Sequence, residues 1–355
     1  MTRRDLLRTA AAVPALSYAQ PAKPNVVLIM TDDQGWFDLG VNGNPHIRTP
    51  NIDRLAAEGC RFTNFYCSPV CSPTRASLMT GRHYQRTGAI DTFLGRDVMD
   101  QSEVTMGQVF QKAGYRTGCT GKWHLGRYMR YHPNERGFDE YFGFWQYGFI
   151  NRYEDSDELW DNKRKVRVHG YVTDVLTNGR SDLFATIAAS LLPVPALQRA
   201  STFRSRTNTS SPIWRGLPLR EARIYGMVTC IDENVGRLLK EVDKNTIVIF
   251  MTDNGGVSNF HKAGLRAGKG TCYEGGIRAP FIARWPENIP AGAVTDAMAQ
   301  HIDVLPTLCE LVGIAPPSGR ALDGKSIASI LGREGESLTI FQPMESRSAA
   351  AQEHR

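Results

Sequence analysis

The sequence predicts an α/β protein with a mostly parallel central sheet flanked by helices. Two observations carry that prediction. From residue 25 onward, short apolar runs of β character alternate with segments of helical periodicity. Two of the runs, VVLIMTDDQG and IVIFMTDNGG, end alike in Thr-Asp-Asp/Asn and a glycine turn. Paired strand ends of this kind mark the carboxyl edge of an open sheet, where α/β proteins place their ligands.

Each element has its own local reason. NVVLIM is an unbroken apolar run, as a strand covered on both faces must be. TPNIDRLAAEG reads as a short helix, with Thr49 as cap, Pro50 at the first helical position and Gly59 at its end. CSPTRASLMTGR is a second helix, with Pro73 in its first turn and Gly81 as its stop. SEVTMGQVFQKAG repeats the pattern, Ser102 capping and Gly114 stopping, and leads into the extended YRTGCTGKWHLG. The longest helix, LREARIYGMVTCIDENVGRLLKEV, places Ile224, Met227, Val228, Ile231, Val235 and Leu238 on one face. The strand TIVIFM follows it.

With 355 residues and 41% hydrophobic composition, the chain can bury a full core in one large or two modest domains. The 42 basic and 36 acidic residues leave +6 without a long block of one sign, which suits an anionic substrate and gives no argument for nucleic acid. The first 24 residues carry Arg3-Arg4, a weakly apolar stretch and small residues from Ser17 to Ala19. They resemble a twin-arginine export leader and linker, which implies a periplasmic or secreted protein. No later stretch is long and apolar enough to span a bilayer. The seven cysteines form no CxxC pair, which leaves neither a zinc ribbon nor a dithiol motif. Cys60, Cys119 and Cys230 read as buried fillers.

The two strand ends supply Asp32, Asp33, Asp253 and Asn254, three carboxylates and an amide with no imidazole among them. That is a hard-oxygen set, suited to Ca²⁺ or Mg²⁺ rather than zinc. Cys71 falls at a helix N-terminus, with Arg75 one turn further on and pointing back to the same place. A thiolate is expected to be stabilised there. Lys122 and His124 lie two apart in an extended stretch, so their side chains are expected to share a face.

C-S-P-T-R-A-S-L-M-T-G resembles the diagnostic motif of the type I sulfatases, in which the cysteine is oxidised to Cα-formylglycine. VVLIMTDDQGW, TPNIDRLAAEG, GYRTGCTGKWHLG, ERGFDEYFGF, GYVTDVLTN, IVIFMTDNGG, LRAGKGTCYEGGIRAPFIARWP, HIDVLPTLCELVGI and RALDGKSI are similar to further stretches of that family, in the same order. The resemblance covers roughly 26–179 and 217–331. It implies an alkaline-phosphatase-like fold and hydrolysis of aryl or carbohydrate sulfate esters. A formylglycine hydrate made from Cys71 would be the nucleophile, one hydroxyl attacking sulfur and the other expelling sulfate as the carbonyl re-forms.

Carried over residue by residue, the resemblance makes Asp32, Asp33, Asp253, Asn254 and modified Cys71 the ligands of Ca²⁺, with Mg²⁺ or Mn²⁺ as the other candidates. Arg75 would hold the modified residue and the charge of the metal site. Lys122 and Lys269 would bind sulfate, and His124 would deprotonate the second hydroxyl. The implied partners are a sulfated small molecule or glycan and a formylglycine-generating maturase. A phosphonate or phosphodiester hydrolase of the same superfamily, and a catalytically impaired sulfatase-like protein, are the alternatives.

The sulfatase-like domain is expected over 25–332, with two departures. The segment 180–215 lacks the histidine that the family places after a buried strand, whether through a local reading-frame displacement or through divergence. The family's C-terminal subdomain is expected to be truncated, 333–355 reading as a polar, disordered tail.

Overall fold

The computed structural model describes residues 23–178, 217–257 and 262–332. The expected leader, the segment 180–215 and the tail 333–355 lie outside the described residues, apart from the last two positions of the leader. The strands are β1 (Asn25–Thr31), β2 (Cys60–Tyr66), β3 (Gly118–Lys122), β4 (Glu140–Phe144), β5 (Leu159–Asp161), β6 (Arg164–Val166), β7 (Thr246–Thr252), β8 (Arg278–Arg284) and β9 (Ala293–Gln300). The helices are α1 (Pro50–Ala57), α2 (Cys71–Thr80), α3 (Tyr84–Thr87), α4 (Met106–Lys112), α5 (Val172–Asn178), α6 (Leu219–Glu241), α7 (Glu274–Ile277), α8 (Val304–Leu311) and α9 (Ala328–Leu331).

A five-stranded sheet has the order β1-β7-β8-β2-β9. β1 pairs with β7 and β2 with β9 in parallel, while β8 is antiparallel to both β7 and β2. Four of the five strands therefore point the same way and β8 alone runs against them. A second sheet has the order β3-β4-β5-β6.

The unbroken apolar strands are explained by burial on both faces. Val26, Leu28 and Met30 of β1 join Ile247, Ile249 and Met251 of β7 in one core, beside Leu78 of α2 and Leu308 of α8. Val27 and Ile29 turn the other way, with Val248 and Phe250, against Ile52 and Leu55 of α1 and Ile231, Val235 and Leu238 of α6. Each such side chain contributes about 1.5–3 kcal/mol by leaving water. All six residues predicted for the apolar face of α6 are buried.

Two predicted caps differ. Thr49 stands at the N-cap of α1 without a side-chain cap bond. Its hydroxyl donates to Asp53 Oδ1 at 2.9 Å, and Asp232 of α6 instead accepts from Asn51 N at 3.0 Å and Ile52 N at 2.8 Å. A carboxylate on a packed neighbour has displaced the local cap. Ser102 does not cap α4: Thr105 does, in a reciprocal capping box with Gln108. Gly59 is required for contact, because a Cβ there would meet Ala283 O at 2.3 Å. None of the seven cysteines, all of which lie among the described residues, forms a disulfide. Among the described residues no helix is long and apolar enough to cross a membrane.

Candidate active site

Parallel pairing in register, Thr31 opposite Thr252, brings the two Thr-Asp ends to the same height. Asp253 N donates to Thr31 O at 3.1 Å and Asp33 N to Asp253 Oδ1 at 3.1 Å, so the two turns lock each other. Asp33 has φ 62, a left-handed conformation that aspartate tolerates better than most residues. Asn254 Nδ2 donates to Asp33 Oδ1 at 2.9 Å, and its amide oxygen lies 3.4 Å from Cys71 Sγ.

Cys71 is the first residue of α2 and is buried. Its Sγ lies 3.3 Å from Asp32 Oδ1, 3.8 Å from Asp33 Oδ1 and 3.3 Å from Lys269 Nζ. Ligand atoms of Asp32, Asp33, Cys71 and Asp253 all fall within 4.8 Å of one another, on four buried residues. The expected thiolate does not form here. Burial, and then Asp253 and Asp32, push the thiol pKa up, outweighing Lys122 and Lys269. The helix end is too weak to reverse that, since its effect is ordinarily about 1 kcal/mol.

Three cations face the three carboxylates. Arg75 Nη2 lies 2.8 Å from Asp253 Oδ2 and 3.3 Å from Asp32 Oδ1, and Nη1 donates to Lys122 O at 2.8 Å. Lys122, the last residue of β3, places Nζ 2.7 Å from Asp32 Oδ1. Lys269 Nζ forms an ion pair with Asp33. Burial raises the pKa of Asp32, but Lys122, a hydrogen bond with Asp253, Arg75 and Lys269 together hold it well below the usual carboxylate range. Burial alone would favour the neutral lysines. Asp33 and Asp32 hold Lys269 protonated, and Asp32 does so for Lys122.

Eight of the nine predicted residues thus meet in one cluster, seven of them buried and Lys269 partly exposed. His124 differs. Its φ of 62 departs from strand geometry two residues beyond Lys122, where β3 ends. Its Nε2 lies 3.0 Å from Thr92 O and 3.7 Å from Asp97 Oδ2, and its backbone oxygen accepts from Ser72 Oγ at 2.9 Å. A carbonyl can only accept, so Nε2 carries the hydrogen and Nδ1 carries the lone pair. That Nδ1 is buried with no hydrogen-bond partner among the described residues. Burial, then Lys122 and Arg75, hold the ring pKa well below 6.5, so the imidazole is neutral.

Thr92, Asp97 and Gly148 had no signal in the sequence. They reach His124 only through the fold, Gly148 by leaving room for the ring where a Cβ would lie 2.4 Å from Cε1.

A profile of the family described as Sulfatase matches residues 24–191 and 197–314, so that it reaches into the segment 180–215 and is interrupted at 192–196. The chain is 35% identical to N-acetylgalactosamine-6-sulfatase of Mus musculus, over 90% of this chain and 68% of that protein. It is 31% identical to Arylsulfatase G of Mus musculus, over 87% and 69%. Among solved structures, Ps i-CgsB in complex with k-i-k-neocarrahexaose superposes with a TM-score of 0.76 at 29% identity, over 88% of this chain and 77% of that one. Profile, relatives and the metal-competent cluster around Cys71 agree, and the chain belongs to the type I, formylglycine-dependent sulfatases of the alkaline-phosphatase superfamily.

Proposed function

We propose that the chain hydrolyses sulfate esters of carbohydrates at position 71, after Cys71 has been converted to formylglycine by a maturase. The observation that carries this reading is the seat of Cys71. A thiol held protonated among the oxygens of Asp32, Asp33 and Asn254 and the ammonium of Lys269 is a poor nucleophile. An oxygen at the same place completes an all-oxygen set.

That donor set fits Ca²⁺, and Mg²⁺ or Mn²⁺ belong to the same class. Asp32, Asp33, Asp253 and Asn254, with an oxygen at position 71, would hold the ion. A bound divalent cation supplies Lewis-acid polarisation of the ester oxygens.

The chain's own residues do the rest. Lys122 and Lys269, both held protonated, take the sulfate oxygens and the charge that builds up on them. Arg75 binds Asp253 and Asp32 together and keeps the carboxylates from moving apart. His124 receives a proton at Nδ1, the atom that the Thr92 carbonyl leaves bare. N-acetylgalactosamine-6-sulfatase and the neocarrahexaose complex support a sulfated sugar as substrate. The Arg3-Arg4 leader supports export through the twin-arginine route, and an Arg3→Lys/Arg4→Lys variant is expected to stay in the cytoplasm.

The test is the mass of the peptide spanning Cys71, from protein made in a maturase-competent host, together with turnover of nitrophenyl sulfate with calcium or chelator. An aldehyde and calcium-dependent turnover are expected. An unmodified thiol in active protein, or an aldehyde in protein that cleaves no sulfate ester, sinks the reading.

A further inference from the structure

Seven of the eleven exposed large hydrophobic side chains among the described residues lie between Ile90 and Phe149. They sit on three loops that meet at His124. Thr92 O receives its Nε2–H, Gly148 packs against its ring, and Asp97 beside it holds Arg127 at 3.2 Å. Soluble proteins rarely gather exposed apolar groups without a ligand to cover them.

These aromatics are paired with arginines. Arg127 lies over Tyr147 at 5.0 Å, Arg96 over Phe93 at 5.3 Å, and Arg130 between Tyr128 at 5.5 Å and Tyr131 at 5.1 Å. Arg127 is further fixed from within by Asp97, which is fully buried. Arg130 has no carboxylate partner among the described residues. Arg96 is held by Asp91 at 2.7 Å, as Arg127 is by Asp97, so of the three it is Arg130 that keeps its whole N–H edge for a sulfate or carboxylate, while the uncovered part of each ring offers an apolar face. A sugar ring presents C–H groups to such a face. A small aryl sulfate needs none of this, because the charged centre around Cys71 already accounts for its one anionic group.

We infer that this arginine–aromatic rim is a subsite for the neighbouring unit of a sulfated oligosaccharide, taking a second sulfate or carboxylate beside His124. The inference deepens the sulfatase reading above and rests on it. The substrate class it assigns is an anionic saccharide of at least two units with more than one negative group.

Binding separates the subsite from turnover. In a Cys71→Ala background, calorimetry would compare 6-sulfated N-acetylgalactosamine with a chondroitin 6-sulfate tetrasaccharide, and the measured quantity is the ratio of their Kd values. The tetrasaccharide is expected to bind about tenfold or more tighter, and Phe93→Ala/Tyr147→Ala to reduce that ratio to near one. Both side chains are about half exposed, at 50% and 52%, so truncation spares the core. Arg130→Ala is the second variant, expected to reduce the ratio about threefold. A ratio near one in the parent, or one unchanged by these variants, overturns the rim. If neither sugar binds while mature wild-type enzyme still cleaves nitrophenyl sulfate, the rim falls and the sulfatase reading stands. If nitrophenyl sulfate is not cleaved either, both fall together.

Discussion

The carbonyl of Thr92 lies 3.0 Å from His124 Nε2 and thereby fixes which nitrogen of the ring is bare. Because the carbonyl demands a proton on Nε2, the lone pair is confined to Nδ1, inside the protein. Burial, then Lys122 and Arg75, keep the folded pKa well below 6.5. The proposed base is therefore already neutral at pH 6.5, and its acid limb should fall well below that value in a profile of kcat/KM. His124→Ala should lower kcat by about 10²–10⁴-fold, the range for loss of a positioned acid or base. An acid limb centred near 6.5, and lost in His124→Ala, would mean that the ring is solvated during turnover.

Gly148→Ala tests the placement of that ring without removing it. The new Cβ would stand 2.4 Å from His124 Cε1 and 2.8 Å from Nδ1, so the imidazole must shift. Displacements of this size in a positioned group cost about 10²-fold. The expected result is a kcat reduced by about that factor with KM for nitrophenyl sulfate changed less than about twofold. A fully active Gly148→Ala enzyme would remove His124 from the chemistry.

The two lysines should separate in stability though both matter for rate. Lys122 is buried against Asp32, whereas the Lys269 side chain is 24% exposed. In chelator, Lys122→Ala leaves a buried carboxylate short of a partner and should cost about 3–5 kcal/mol. Lys269→Ala should cost clearly less, because water can reach the site it vacates. With calcium present both should lower kcat by about 10²–10³-fold, as loss of a preorganised charge does. Denaturant titration and steady-state kinetics on the two variants check this, and equal stability losses would contradict the contrast in burial.

The strands and most of the site were legible because each is written in contiguous residues. VVLIMTDDQG and IVIFMTDNGG state both their burial and their candidate ligands, and parallel register then aligns the two ends without further instruction. CSPTR likewise carries both Cys71 and the arginine that meets the same carboxylates. What could not be read depends on chain segments far apart. Asp232 caps α1 from α6, across about half the chain, and no local pattern distinguishes that from the Thr49 cap the motif suggests. His124 was assigned a face by strand alternation, and its positive φ departs from strand geometry two residues after the strand ends. The thiol of Cys71 was misjudged because helix-end chemistry is local while the opposing carboxylates come from β1 and β7.

His301 gives a prediction about stability away from the reaction. Its Nδ1 lies 3.2 Å from Tyr66 O, so Nδ1 carries the hydrogen, and Nε2, 3.3 Å from Ser68 Oγ, accepts from that hydroxyl. Both bonds suit the neutral ring, and protonating Nε2 reverses the second, the Ser68 hydroxyl oxygen then accepting. Burial, the largest influence, lowers the pKa from 6.5 to about 4. A folded pKa below the unfolded one means that the unfolded chain binds the proton first. Stability is then complete above pH 6.5 and is lost as pH falls from 6.5 through about 4. At about 1.4 kcal/mol per unit, the loss approaches about 3 kcal/mol. Asp38, raised by burial to about 7, acts oppositely, gaining stability as pH falls below that value. The measurement must therefore be a difference between proteins at each pH. His301→Gln should unfold at a lower temperature than wild type at pH 7, and the gap should narrow steadily towards pH 4. A gap that stays constant over this range would show that His301 does not carry the titration.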